Sequence, residues 1–201
     1  MRFVSLNSQL STLNSQLFKM FLETGIEGLL VYEPRIFGDA RGYFFESYNA
    51  EVFKKQGIET AFVQDNQSRS TRGVLRGLHY QLPPFAQSKL VRCTHGEVLD
   101  VVVDIREGSK TYGKTFSLLL SAENKKQLYI PRGFAHGFAV LSEEAEFVYK
   151  CDNYYAKEHE AGIAYNDPNL KIDWLLLVSE VKLSDKDLIL PHLGNHEKFM
   201  M

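Results

Sequence analysis

Residues 96-GEVLDVVVDIR-106 alternate in steps of two, with Leu99, Val101, Val103 and Ile105 on one side and Asp100, Asp104 and Arg106 on the other. A period of two is that of a β-strand, whose successive side chains point to opposite faces. The segments around it share this texture: 28-GLLVYEPRIF-37, 41-RGYFFESY-48, 114-KTFSLLLSA-122, 127-QLYI-130, 133-GFAHGFAVLS-142 and 145-AEFVYKCDNYY-155. They are short, rich in β-branched and aromatic residues, and punctuated by Gly, Pro and Asn, the pattern of a sandwich or barrel. Helix is scarce. Asn49 is placed to cap a short helix over AEVFKKQG, with Glu51 in its first turn and Gly57 ending it, and a second short helix is expected after Ser184.

The chain has 201 residues, which suits one domain with tails. Its formal net charge of −2 makes no electrostatic case for a nucleic-acid or membrane partner. No apolar run approaches the ~20 residues of a bilayer-spanning helix. The two cysteines, Cys93 and Cys151, have neither CxxC nor zinc spacing and read as thiols in a reducing cytoplasm. Residues 1–20 repeat LNSQL at 6–10 and 13–17, too little for a repeat fold, and make a poor secretory signal. We expect a polar, poorly ordered leader over 1–20, with Met20 a candidate natural start and a helix through Leu10, Leu13, Leu17 and Met20 the weaker alternative, followed by a single domain over 21–201. Neither common glycine-rich phosphate loop occurs, so any phosphate falls to side chains, above all Arg.

Two segments carry candidate chemistry. In 73-GVLRGLHYQL-82, Arg76 and His79 lie close together and Lys89 follows; in 131-PRGFAHGF-138, Pro131 and Gly133 form a turn before His136. A lone His in a β protein is usually structural, and a lone Lys usually sits at the surface. The two segments together resemble the signatures of the cupin superfamily, which implies a jelly-roll β-barrel. Metal-binding cupins place a His-x-His pair and a Glu where this chain has His79, Gln81 and Lys89. A protonated Lys repels a cation and Gln ligates weakly, so no catalytic metal and no other cofactor is expected.

The segments FGDARGYFFESYN, FVQDNQSRS, GVLRGLHYQ, KLVRCTHGEVLDVVVDIR, LSAENKKQLYIPRGFAHGF, AEFVYKCDNYY and LSDKD, in this order between about Ile26 and Pro191, resemble the dTDP-4-dehydrorhamnose 3,5-epimerase family. The resemblance implies inversion of C3 and C5 of dTDP-4-dehydro-6-deoxy-D-glucose through enolates, on the route to rhamnose-containing cell-surface polysaccharides. It makes His79 the base, Asp187 its orienting carboxylate, Lys89 the cation at the enolate oxygen and Tyr149 the proton donor on the opposite face. Asp185 is a rival to Asp187 by sequence, and either reads as a helix-start carboxylate without the family. Imidazole, with a reference pKa near ~6.5, suits a base at working pH.

For binding, the resemblance gives Arg41 and Arg76 to the diphosphate and places Glu46, Gln64 and Asn66 near the nucleotide. Tyr155 stacks on thymine, His136 lines the sugar, and Glu160 and Lys186 are peripheral contacts. Arg92, Arg106 and His95 are left as structural or surface residues. A homodimer in the cytoplasm is implied, with Arg41 and Glu46 free to serve either subunit's site. Single-site epimerases and 3,4-ketoisomerases share the scaffold; retention of Tyr149 in its FVYK context favours the double inversion. A non-catalytic sugar-binding cupin is a distant third, because His79, Lys89, Tyr149 and Asp187 are all present. Arg76 and His79 are three apart, so a regular strand would turn them to opposite faces; Gly77 makes a bulge the expected remedy.

Overall fold

A computed structural model describes residues 20–200. The expected leader, apart from Met20, lies outside the described residues, as does Met201. The chain forms β1 (Phe21–Glu23), β2 (Leu30–Tyr32), β3 (Phe37–Asp39), β4 (Gly42–Phe44), α1 (Ala50–Lys55), β5 (Gln64–Thr71), β6 (Leu75–Gln81), β7 (Lys89–His95), β8 (Glu97–Asp104), β9 (Thr115–Ser121), β10 (Gln127–Ile130), β11 (Phe134–Val140), β12 (Glu144–Cys151), β13 (Glu160–Gly162) and α2 (Asp185–Leu188). Two antiparallel sheets result, in the orders β1-β2-β10-β7-β12-β5 and β13-β6-β11-β8-β9, and β3 and β4 form a separate hairpin. This is the mainly β, cupin-type architecture expected, built as two facing sheets.

Three apolar layers hold it. Between the sheets, Val91, Leu128, Ala145 and Phe147 of one meet Val98, Val102, Phe134 and Phe138 of the other. Behind the five-stranded sheet, Leu75, Leu78, Leu99, Val101 and Val103 pack under a C-terminal cover that includes Ile163, Trp174 and Phe199. Behind the six-stranded sheet, Phe21, Tyr32 and Leu90 pack under Phe53 of α1. Asn49 caps α1 as expected, its side chain accepting from the Glu51 and Val52 amides. Both faces of β8 are therefore buried. Leu99, Val101 and Val103 face the cover, whereas Asp100 and Asp104, both with no exposure, face the space between the sheets or its end.

Asp104 anchors the end of β8. Its carboxylate accepts from Arg106 Nε and Nη2 at 2.8 and 2.7 Å, from Ser109 Oγ at 2.7 Å and from Thr111 Oγ1 at 2.6 Å. Arg106 is thus structural, as expected, and lies against Gly133 of the turn that leads to His136. Burial pushes the Asp104 carboxyl up, but the bonds from Arg106, Thr111 and Ser109 outweigh it and hold it at about 2, from an ordinary 3.8. A depressed carboxylate pKa contributes stability that is present above the ordinary value and lost as pH falls through the folded one. The gap corresponds to about 2 kcal/mol. Asp104→Asn should therefore lower the unfolding free energy by about this amount at pH 7, with the difference closing between about pH 4 and pH 2. Urea titrations followed through the single tryptophan, Trp174, would measure it.

Candidate active site

The decisive local feature is an irregularity between β6 and β11. His136 pairs with His79, but Phe138 pairs with Arg76, so two steps on β11 span three on β6. The extra residue is the expected bulge. Gly77 sits there with φ +120, and a Cβ on it would lie 2.6 Å from the Cα of Gly137. Only glycine permits both the backbone angle and the close approach. Leu75, Leu78 and Tyr80 consequently pack behind the sheet, and Arg76 and His79 share the face of Phe138 and His136, toward the opposite sheet.

His79 is completed from α2. Its Nε2 lies 2.6 Å from Asp187 Oδ1, and Ser184 Oγ donates to Asp187 Oδ2 at 2.6 Å. Asp187 is 3% exposed and Asp185 is exposed, which settles which carboxylate faces the histidine. Burial pushes the Asp187 carboxyl up, yet the bonds from His79 and Ser184 leave it below the ordinary range. An ionised Asp187 fixes the hydrogen on Nε2 and leaves Nδ1 as the lone pair. By sequence Ser184 reads only as the residue that opens the helix. Its side chain makes no cap bond and instead holds Asp187.

Lys89 opens β7, which belongs to the other sheet, so it reaches the site from the facing sheet and not from beside His79. It pairs with Cys151 of β12, and its ammonium lies 5.8 Å from the centroid of the Tyr149 ring. Burial pulls the Lys89 pKa down, with Cys151 and Asp100 opposing. Burial also raises the Tyr149 pKa, assisted by Cys151 and opposed by Arg76, so the phenol keeps its proton. Tyr149 pairs with Asn66 and Cys151 with Gln64 on β5. Asn66 accepts from Gln64 Nε2 at 3.0 Å and donates to Cys151 Sγ at 3.7 Å. Arg76 donates to Ser70 of β5 at 3.2 Å, bridging the two sheets at the mouth. The site thus has a carboxylate-bound imidazole on one wall and a lysine beside a phenol on the other.

Two further placements complete it. His136 is buried, stacks with Phe147 at 6.2 Å and bonds through Nε2 to Asp100 Oδ2 at 2.8 Å; the second Asp100 oxygen is buried with no partner among the described residues. Tyr155, Glu160 and Lys186 form a linked group at the rim. Arg41 and Glu46 are not brought to this site. Arg41 pairs with Asp39 on the exposed hairpin, and Glu46 accepts from Asn49 Nδ2 beside the outer face of the six-stranded sheet. Gln81 spends its amide on the backbone at Phe85, Tyr154 and Ala156. Asp100, Ser184 and Cys151 are the neighbours the sequence did not single out. The alternation of β8 did place Asp100 opposite Leu99 and Val101, and that was its one visible signal.

A sequence model described as dTDP-4-dehydrorhamnose 3,5-epimerase matches residues 23–195. The chain belongs to that family. It is similar to the dTDP-4-dehydrorhamnose 3,5-epimerase of Pseudomonas aeruginosa, 59% identical over 163 residues, which are 81% of this chain and 89% of that one. The enzyme of the same name from Shigella flexneri is 56% identical over 180 residues, 89% of this chain and 95% of its own. Among solved structures, a 3,5-epimerase from Legionella pneumophila in complex with dTDP-4-keto-L-rhamnose superposes with a TM-score of 0.84 at 52% identity, covering 87% of this chain and 93% of that one. In this member of the family the bulge at Gly77 sets the His79–Asp187 pair on one sheet, and Lys89 and Tyr149 lie on the other.

Proposed function

We propose that this protein is the dTDP-4-dehydrorhamnose 3,5-epimerase of a dTDP-rhamnose pathway, inverting C3 and C5 of dTDP-4-dehydro-6-deoxy-D-glucose. The observation that carries the reading is the Asp187-braced His79 on one sheet facing Lys89 and Tyr149 on the other. The hydrogens on C3 and C5 are both acidified by the C4 ketone. His79 Nδ1 removes one, Lys89 receives the enolate oxygen, and Tyr149 returns a proton from the other side. A single group on one face would restore the starting centre. Arg76 takes the diphosphate, Gln64 and Asn66 the nucleotide end, His136 the sugar, and Tyr155 the thymine ring, with Glu160 and Lys186 beside it. NMR of the product, with a 4-ketoreductase added, tests the assignment. An L-rhamno sugar supports it; inversion at one carbon moves the protein to the single-site epimerases, and a ketone relocated to C3 makes it an isomerase.

The same reading includes a homodimer. The β3–β4 hairpin exposes Phe37, Tyr43 and Phe44 at 50%, 62% and 66%. A hollow of about 360 Å³ lies on the outer face of the six-stranded sheet, lined by Ser47, Asp65, Arg92 and Lys150 among others. Exposed aromatics on this hairpin suit a second copy of the chain, whose site Arg41 and Glu46 would then serve. Arg41→Ala and His79→Asn should each be inactive alone. Mixed and allowed to exchange subunits, they should recover about a quarter of wild-type activity, one intact site in each of the half of dimers that are mixed. No recovery, with exchange shown by mass spectrometry, would return Arg41 to its own subunit. No helix among the described residues is long and apolar enough to cross a membrane.

A further inference from the structure

Both carboxylate oxygens of Glu160 are engaged by neighbouring side chains. It opens β13 opposite Gln81 of β6, two pairs from the Gly162–His79 pair. Its Oε2 accepts from the Tyr155 hydroxyl at 3.0 Å, and its Oε1 accepts from Lys186 Nζ at 2.6 Å. The Tyr155 ring is otherwise exposed at 56%, and the Lys186 side chain at 53%. Lys186 is the residue before Asp187 on α2, the four-residue helix whose carboxylate holds His79. One carboxylate therefore ties an aromatic at the rim to the helix that orients the base. A carboxylate offered directly to a diphosphate would repel it, whereas one engaged with a hydroxyl and an ammonium is compensated.

We infer that Glu160 is a positioning residue, a clamp that fixes Tyr155 for the nucleotide and α2 for the base, and so couples nucleotide binding to His79–Asp187 geometry. The inference rests on the proposed epimerase reading for the roles of Tyr155 and His79. Burial pushes the Glu160 carboxyl up, but Lys186 and Tyr155 outweigh it and keep it ionised, as a clamp requires. Each link is a hydrogen bond to a charged group, so its loss is expected to cost about tenfold in the step it serves.

Two readouts separate the links. Titration calorimetry with dTDP, which needs no turnover, reads the first. Glu160→Ala and Tyr155→Phe should each weaken dTDP by about tenfold, and the double variant should be no weaker than either. Steady-state kinetics reads the second. Lys186→Met and Glu160→Ala should each lower kcat by about tenfold, again without adding, and the isosteric Glu160→Gln should recover part of both losses. Losses that multiply to about a hundredfold in either double variant would make Glu160 an independent contact and overturn the clamp. Wild-type protein that takes up no deuterium from heavy water would sink the epimerase reading instead, and the calorimetric arm would still decide the clamp.

Discussion

His79→Asn is expected to erase deuterium uptake at both C3 and C5 of the keto sugar and to lower turnover by about 10³-fold or more, the scale of losing a positioned general base. The side chain is 21% exposed and its ring bonds to one described group, Asp187, so the fold should survive the change. Asp187→Asn keeps the bond but can present its amide hydrogens to Nε2, which favours the wrong tautomer. By analogy with other carboxylate–histidine pairs the loss should again approach ~10³–10⁴. Because the two act as one unit, the double variant should be little worse than His79→Asn alone. A His79→Asn protein that still exchanges both protons at an appreciable rate would place the base elsewhere.

Tyr149→Phe should give a different signature. The ring remains against Phe147, at 6.2 Å between centroids, and only the hydroxyl is lost. Inverted product should fall by about 10²–10³-fold. Exchange on the His79 side should persist, because Nδ1 can still remove a proton and return a deuteron to the same face. The recovered substrate would then carry deuterium without inversion, a result His79→Asn cannot produce. Inversion at the wild-type rate in Tyr149→Phe would remove the phenol from the acid's role. The contrast between the two variants follows from the topology, since β6 and β12 lie in different sheets.

Which of these features could be read in advance depends on how each is encoded. The strands were legible because period-two alternation and turn residues are local signals. The bulge was legible because Gly77 stood where three-residue spacing had to be reconciled with a shared face. Asp100 was not, because alternation shows that a residue leaves one face without showing whether the other is solvent or a site. In a two-sheet fold both faces of β8 are buried, and the polar one meets His136. The sheet to which Lys89 belongs is likewise a long-range property. Nothing in 73–95 indicates that β7 crosses to the wall opposite β6. Ser184 reads as a helix cap in any sequence, and its bond to Asp187 depends on the turn that follows. Cys151 reads as an ordinary buried thiol until β12 sets it opposite Lys89. Arg41 and Glu46 were matched by motif, and motifs carry no information about which side of a sheet a hairpin occupies.

The most direct test of opposed-wall epimerisation is NMR of dTDP-4-dehydro-6-deoxyglucose incubated with the wild-type protein in heavy water. Deuterium at both C3 and C5 of an inverted sugar is the expected result. Deuterium at neither carbon would contradict the enolate mechanism for this substrate and leave His79, Lys89 and Tyr149 as parts of a binding site.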